Sequence, residues 1–224
     1  MTKNEIATRI ITTLRQNYKD RWLSKRFVLH ILEEKMRFLL SQKLRDRSLF
    51  REENLMSQIN CYEFKKVDKL KCDIIEFRTC NHVMKGTKKL PELLYSRYGS
   101  SIRMITNLDQ SEEIKPTNPK DYIRDRKRKY YNYPPGYYVR DGYPYIVNSD
   151  IEAGFIELIT LDTKRVAEID CESEVGSCKA ATDYDFISSD KLAEIAVQQT
   201  IQEIAQTYIQ IQPDEKPDNN ENSI

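Results

Sequence analysis

Apolar residues recur three or four positions apart near both ends of the chain, which is the spacing of one helical face. The pattern predicts a helix over residues 4–16, a longer helix over residues 24–48 and a third from Ser188 to about residue 211. Apolar positions of the long helix cover more than one face, which indicates more than one neighbour. Burial within the same chain and burial against a second subunit both explain that width.

Short runs rich in β-branched and aromatic residues occupy the middle of the chain and are typical of β-strands. Strands are predicted at CYEFKKV (61–67), SIRMITNL (101–108) and GFIELITL (154–161), with RVAEI (165–169) as a further strand. LPELLYSRYG (90–99) has a proline near its start and a glycine at its end. Those two residues predict a short helix there.

Asp141-Gly142 predicts a β-hairpin with a two-residue turn, because both residues tolerate the positive φ that such a turn needs. Pro144 cannot donate a ladder hydrogen bond, so the hairpin is expected at a sheet edge. Its tyrosines are expected first of all to pack against one another on the sheet. If they are exposed, they become candidates for a protein interface. The face that carries the candidate contacts consists of Tyr138, Arg140, Tyr143 and Tyr145.

Together these elements predict an α+β fold. The N- and C-terminal helices form a helical bundle, and a β-rich subdomain with the tyrosine-rich hairpin is inserted between them. The predicted parts are an N-terminal helical part (1–58), the β-rich insertion (59–185) and a C-terminal helix that packs on the N-terminal helices (186–211). Residues 212–224 are polar and nearly devoid of apolar residues, which predicts a disordered tail.

Charge is almost balanced, with 36 basic and 35 acidic residues, so any nucleic-acid contact must be local. The run RDRKRK (124–129) stands directly before the tyrosines. It can be a solvated segment, a contact for acidic surfaces of a neighbouring subunit, or a contact for nucleic-acid phosphates. The last possibility gives the alternative function, a small nucleic-acid-binding protein using residues 124–145. Its candidate contacts are Arg124, Arg126, Lys127, Arg128 and Lys129.

No catalytic arrangement can be named from the sequence. Two histidines do not support a Ser/His/Asp or Cys/His site, and no glycine-rich phosphate loop is present. The five cysteines form no CxxC pair and are expected to be reduced thiols and not zinc ligands. We therefore expect no enzyme activity, no metal and no cofactor. No apolar run is long enough to predict a membrane span.

The arrangement resembles the head-to-tail connector (adaptor, or ring) proteins of short-tailed bacteriophages, most closely those of crAss-like phages. The resemblance covers nearly the whole chain. It is carried by the N-terminal helical pair, the YYV…DG…YIV hairpin, the strand GFIELITL, and the capped helix DYDFISSDKLAEIAVQQTIQEIAQ with its polar tail.

This resemblance implies a structural virion protein of the neck or tail, assembled in the host cytoplasm. It implies a dodecameric ring below the portal that lines the DNA channel. The implied partners are the portal, the next tail or ring protein and, passively, the packaged DNA. Helices pack between ring neighbours in such families, which points to Phe27, Ile31, Met36 and Leu40. The C-terminal helix and tail dock onto the portal, which points to Ile204, Tyr208, Ile209, Ile211 and Ile224.

Overall fold

A computed structural model describes most of the chain, namely residues 1–17, 23–45, 53–67, 83–96, 99–120, 134–170, 184–186 and 190–210. The helices in these ranges are α1 (Lys3–Asn17), α2 (Lys25–Arg45), α3 (Thr163–Ile169) and α4 (Asp190–Gln210), with a 3-10 turn at Glu53–Leu55. The strands are β1 (Ser57–Lys66), β2 (Val83–Gly86), β3 (Tyr95–Ser96), β4 (Gly99–Ser100), β5 (Ile102–Asn107), β6 (Glu113–Pro116), β7 (Gly136–Arg140), β8 (Tyr143–Val147) and β9 (Ala153–Leu158).

Seven of the strands close into a barrel in the order β1-β2-β8-β7-β6-β5-β9, and β9 pairs back with β1. Among the described strand pairs, β6 and β7 alone run parallel, over a two-residue register. The predicted architecture, a helical bundle with an inserted β-rich subdomain, is therefore wrong, although the class is mixed α+β. The reason is that β9 pairs with both β1 and β5, so strands far apart in sequence complete one another's hydrogen bonds. The predicted domain boundaries stay a prediction.

The interior of the barrel is a hydrophobic core separate from that of the helices. Inward-facing residues alternate with outward-facing ones on both sides of a register shift between Ile59 and Tyr62 of β1. The rings of Tyr62 and Phe64 lie 5.0 Å apart inside it, and the Tyr62 hydroxyl donates to the Lys88 carbonyl. Burial raises the Tyr62 pKa far above its usual range. Fully buried isoleucines fill much of the interior: Ile59, Ile105, Ile114, Ile146 and Ile156.

The hairpin of β7 and β8 has the predicted turn and register. Asp141 and Gly142 have φ values of 53° and 81°, and Tyr138 faces Tyr145. The expected edge position is wrong, because β8 lies between β7 and β2 in the closed barrel. Pro144 has no N–H to donate to a neighbouring strand. It is tolerated there because the register between β8 and β2 ends at Tyr145, so Pro144 is not paired with β2.

Two other segments differ from the sequence-based expectation. Residues 90–94 are not helical, because their backbone bonds to the barrel: the Leu90 N–H donates to Gly142 and the Leu94 N–H to the Ser101 hydroxyl. Residues 165–169 form part of α3 and not a strand. Val166 and Ile169 lie three residues apart on the side that packs against the barrel core.

Three helices form a layer beside the barrel. α1, α2 and α4 share one core, and Ile159 and Leu161, which follow β9, enter the same core. Ion pairs connect these helices: Lys3 Nζ lies 2.6 Å from Glu33, and Lys35 pairs with Glu203. A capping box starts α1, since the Thr2 hydroxyl accepts from the Glu5 N–H and the Glu5 carboxylate accepts from the Thr2 N–H.

Cys61 on β1 is disulfide-bonded, so the expectation that all five cysteines are reduced thiols is wrong for this residue. The other four cysteines lie outside the described residues. Cys61 is additionally held by its N–H, which donates to the Asp170 carboxylate at 3.2 Å. The disulfide therefore sits where the end of α3 meets β1.

Asp162 caps α3, and its replacement by alanine is expected to cost about 1 kcal/mol of unfolding free energy. Its carboxylate accepts from the Arg165 N–H at 3.1 Å, which satisfies one of the free donors of the first turn. Chemical denaturation of the Asp162→Ala variant measures this. The exposed Lys164→Ala change, which removes a weak surface ion pair, is the control and should cost less than half as much. Equal costs would contradict the capping role.

Tyr137 makes stability fall at alkaline pH. Burial in the barrel, helped by the charge of Glu113, raises its pKa from 10.0 to about 12. In the unfolded chain the phenol ionises near pH 10, so between pH 10 and 12 the unfolded state loses a proton that the folded state keeps. The unfolding free energy should therefore drop by about 1 kcal/mol per pH unit above 10 from this residue. Urea denaturation at pH 8, 10 and 11 should show a smaller drop for Tyr137→Phe, and parallel curves would contradict the argument.

Candidate assembly surfaces

The outward side of α2 carries two exposed aromatic residues, Phe27 and Phe38, which are 43% and 56% exposed. They are eleven positions apart in the sequence, which is about three helical turns and about 16 Å along the axis, so they lie on one face. Large exposed aromatic side chains on a rigid helix are typical of protein contacts. We call these two residues the α2 phenylalanine pair.

The opposite side of α2 is fixed to the rest of the molecule. Ile31, Met36 and Leu40, three of the predicted interface residues, are buried in the chain's own helical core. Arg37, next to Phe38, lies 2.8 Å from Glu92 in the segment between β2 and β3. Within this chain, therefore, Phe27 is the member of the predicted α2 set whose side chain faces outward. The assignment of the set to a subunit interface stays a prediction.

The contacts predicted from the sequence did not include Phe38, although Phe38 belongs to the same apolar stripe of the long helix as Phe27. The available signal was its spacing of eleven residues from Phe27, which places both on one face. Tyr95, at the start of the short β3–β4 hairpin, was also missed and is 65% exposed. It lies in an element that packs beside α2.

The tyrosine-rich hairpin has a buried part and an outward part. Tyr138 and Tyr145 stack with ring centroids 5.1 Å apart and are each only 8% exposed, which supports the sheet-packing reading for them. Tyr143 is partly exposed, and the Lys85 ammonium lies 4.5 Å from its ring centroid. Arg140 is exposed and approaches Asp141 at 3.8 Å. Its role at a subunit interface also stays a prediction.

The other predicted contacts are less informative. Ile204 is fully buried in the helical core of the chain. Tyr208 and Ile209 belong to α4, but the placement of their side chains lies outside the described part. Ile211 and Ile224 lie outside the described residues. So does the entire basic run of the alternative function: Arg124, Arg126, Lys127, Arg128 and Lys129.

Within the described ranges, no group of three or more His, Cys, Asp or Glu residues is arranged to hold a metal ion. Nor does any helix in those ranges have the length and apolar character that crossing a membrane requires. The described part instead carries exposed aromatic residues, Phe27 and Phe38 on one face of α2 and Tyr95 in β3. This is typical of a protein that assembles with other proteins.

Comparison with known families agrees with this class. The model of the family CrAss_Ring_2, described as phage tail ring protein 2, matches residues 5–223. Because the match spans almost the whole chain, the chain belongs to this family of crAss-like phage ring proteins. A search of curated proteins found no match.

Membership in this family makes the chain a structural component of the virion, built into the phage tail as a ring. It also indicates that the protein works by assembling with other proteins. The part of the resemblance that concerns crAss-like ring proteins is thereby confirmed.

Proposed function

We propose that this chain forms a dodecameric ring directly below the portal of a short-tailed phage. The ring joins the head to the tail and encloses the channel through which the DNA passes. It is made in the host cytoplasm and becomes part of the neck of the virion. The observation that carries this proposal is the family match to tail ring proteins over residues 5–223.

The surface of the described chain supports a self-assembling role. Every copy in a ring contacts two neighbours through two different patches. The α2 phenylalanine pair is a candidate for one patch, because Phe27 and Phe38 are exposed without any contribution to the chain's own core. The outward part of the hairpin, Arg140 and Tyr143, is a candidate for the other.

A near-neutral chain suits a channel protein, since DNA must slide past it without being held. For the portal contact we propose the end of α4 and the residues after it, from Ile204 to Ile224. Ile204 itself is buried, so it would support this contact from within, by holding α4 on α2. A further ring or tail protein would bind the opposite side of the ring.

Electron cryo-microscopy of virions tests the position of the ring. The proposal predicts a ring of this barrel-and-helix shape in direct contact with the portal and coaxial with the DNA. A ring found lower in the tail, separated from the portal by another protein, would contradict the portal contact. It would leave the family assignment unchanged.

A further inference from the structure

Three lysines lie together on the outer wall of the barrel. Lys65 on β1 and Lys85 on β2 are directly opposite in the antiparallel register. The Lys89 side chain lies beside Gly142 at the tip of the β7–β8 hairpin. Within the described part of the chain, no carboxylate forms an ion pair with any of the three. Like charges placed directly opposite on two strands destabilise a sheet, so the arrangement indicates an anionic partner.

The tyrosines next to these lysines hold the ammonium groups in place. Lys85 Nζ lies 4.5 Å from the Tyr143 ring centroid and 5.7 Å from that of Tyr145, and Lys89 Nζ lies 5.7 Å from that of Tyr143. Contact with an aromatic ring restrains a lysine that would otherwise move freely. We call Lys65, Lys85, Lys89 and Tyr143 the lysine face.

The same contacts indicate how a partner is recognised. Tyr145 stacks on Tyr138, and Tyr143 already faces two ammonium groups. Sequence-tolerant binding of single-stranded nucleic acid uses free aromatic faces on which bases stack. Since both rings are engaged, the face selects its partner by negative charge. Two lysines at opposite positions of neighbouring strands can together hold one carboxylate.

The chain itself contains a segment with the required charge. Residues 212–224 carry four acidic residues against the single base Lys216. Fully extended, these thirteen residues reach about 45 Å. The acids of the segment are Asp214, Glu215, Asp218 and Glu221.

We propose that the lysine face binds the acidic segment 212–224 of a second copy of this chain. This inference rests on the ring assembly proposed above and assigns one contact within it. The segment reaches from the end of α4 on one copy to the barrel wall of the next. With residues 212–224 bound to the lysine face, the portal contact proposed above narrows to the end of α4, from Ile204 to Ile211.

A labelled, amidated peptide of residues 212–224 tests this contact by fluorescence anisotropy. The full-length protein is used at a dilution where native mass spectrometry shows monomers. We expect saturable binding at low salt that is lost as ionic strength passes about 0.2 M, where screening shortens the reach of surface charges. The variant with Lys65→Gln and Lys85→Gln should bind about tenfold more weakly, which is the range for two surface charge contacts. Lys115→Gln with Lys120→Gln, both exposed elsewhere, is the matched control and should bind normally.

Three results would overturn the inference. The first is no peptide binding to wild type, or equal loss in the control variant. The second is binding of a short DNA duplex through Lys65 and Lys85 when the peptide does not bind, which would make the face a nucleic-acid contact. The third is peptide binding only to a chain ending at residue 211, which would mean that each copy binds its own segment. None of these affects ring formation with the portal, which is measured separately by mass on the full-length chain.

Discussion

Replacing Phe27 and Phe38 together by serine is expected to abolish ring assembly while leaving the fold intact. Both side chains are exposed, so their removal takes little from the chain's own core. At a protein interface, a buried aromatic anchor contributes about 2 kcal/mol or more, and two of them weaken association by about a thousandfold. Native mass spectrometry should show the variant as monomers at concentrations where the wild type forms rings.

Matched changes on the exposed side of α4 serve as the control for this prediction. Gln198→Ser and Gln202→Ser remove exposed side chains of similar size from another helix of the same layer. They should leave assembly unchanged, and denaturation midpoints of both variants should stay near that of the wild type. Rings that form normally from the phenylalanine variant would show that the α2 phenylalanine pair is not an interface.

Gly154→Ala is expected to destabilise the barrel by about 3 kcal/mol, the upper part of the range for overpacking. A Cβ at this position on β9 would lie 2.7 Å from the Thr106 carbonyl oxygen and 3.3 Å from the Phe64 ring. The first of these is backbone of the neighbouring strand β5, so it cannot rotate away as a side chain could. Strands β5 and β9 would have to separate where they pair.

Urea denaturation of the Gly154→Ala variant measures this effect. Glu152→Ala, two residues earlier with an exposed side chain, is the control and should change the unfolding free energy by less than about 0.5 kcal/mol. A Gly154→Ala variant as stable as the control would mean that β5 and β9 are not held as closely as the structure places them.

Local chemistry in the sequence was enough to predict the hairpin in detail. Asp141-Gly142 permits one kind of turn, and that turn fixes which tyrosine faces which. The helices were equally clear, because apolar residues such as Ala7, Ile10 and Leu14 recur three and four positions apart, which is the period of an α-helix. Such signals depend on residues a few positions apart.

The closed barrel depends on pairings between strands that lie far apart in the sequence, and no local sequence pattern predicts them. β1 and β9 lie about ninety residues apart, and β2 and β6 have four residues each, too few for a clear alternating pattern. The short helix α3 was mistaken for a strand because Val166 and Ile169 are β-branched. Its cap, Asp162, was the signal that could have corrected this. Tertiary contacts with the barrel then decided the conformation of residues 90–94.

The candidate surfaces could be predicted only in part, because a sequence shows which residues are apolar but not which side of a wide stripe faces outward. Ile31 and Phe27 belong to one stripe, yet one is buried in the chain and the other is exposed. The lysine face was not visible either. Lys65 and Lys85 are twenty positions apart and meet only because β1 and β2 pair.

The central claim, a ring that binds the portal, is tested most directly by the mass of the purified full-length protein in solution. Native mass spectrometry of the protein alone and mixed with its portal gives the copy number in each case. We expect a closed ring, or a portal complex with matching copy number. A protein that stays monomeric with and without the portal would contradict it.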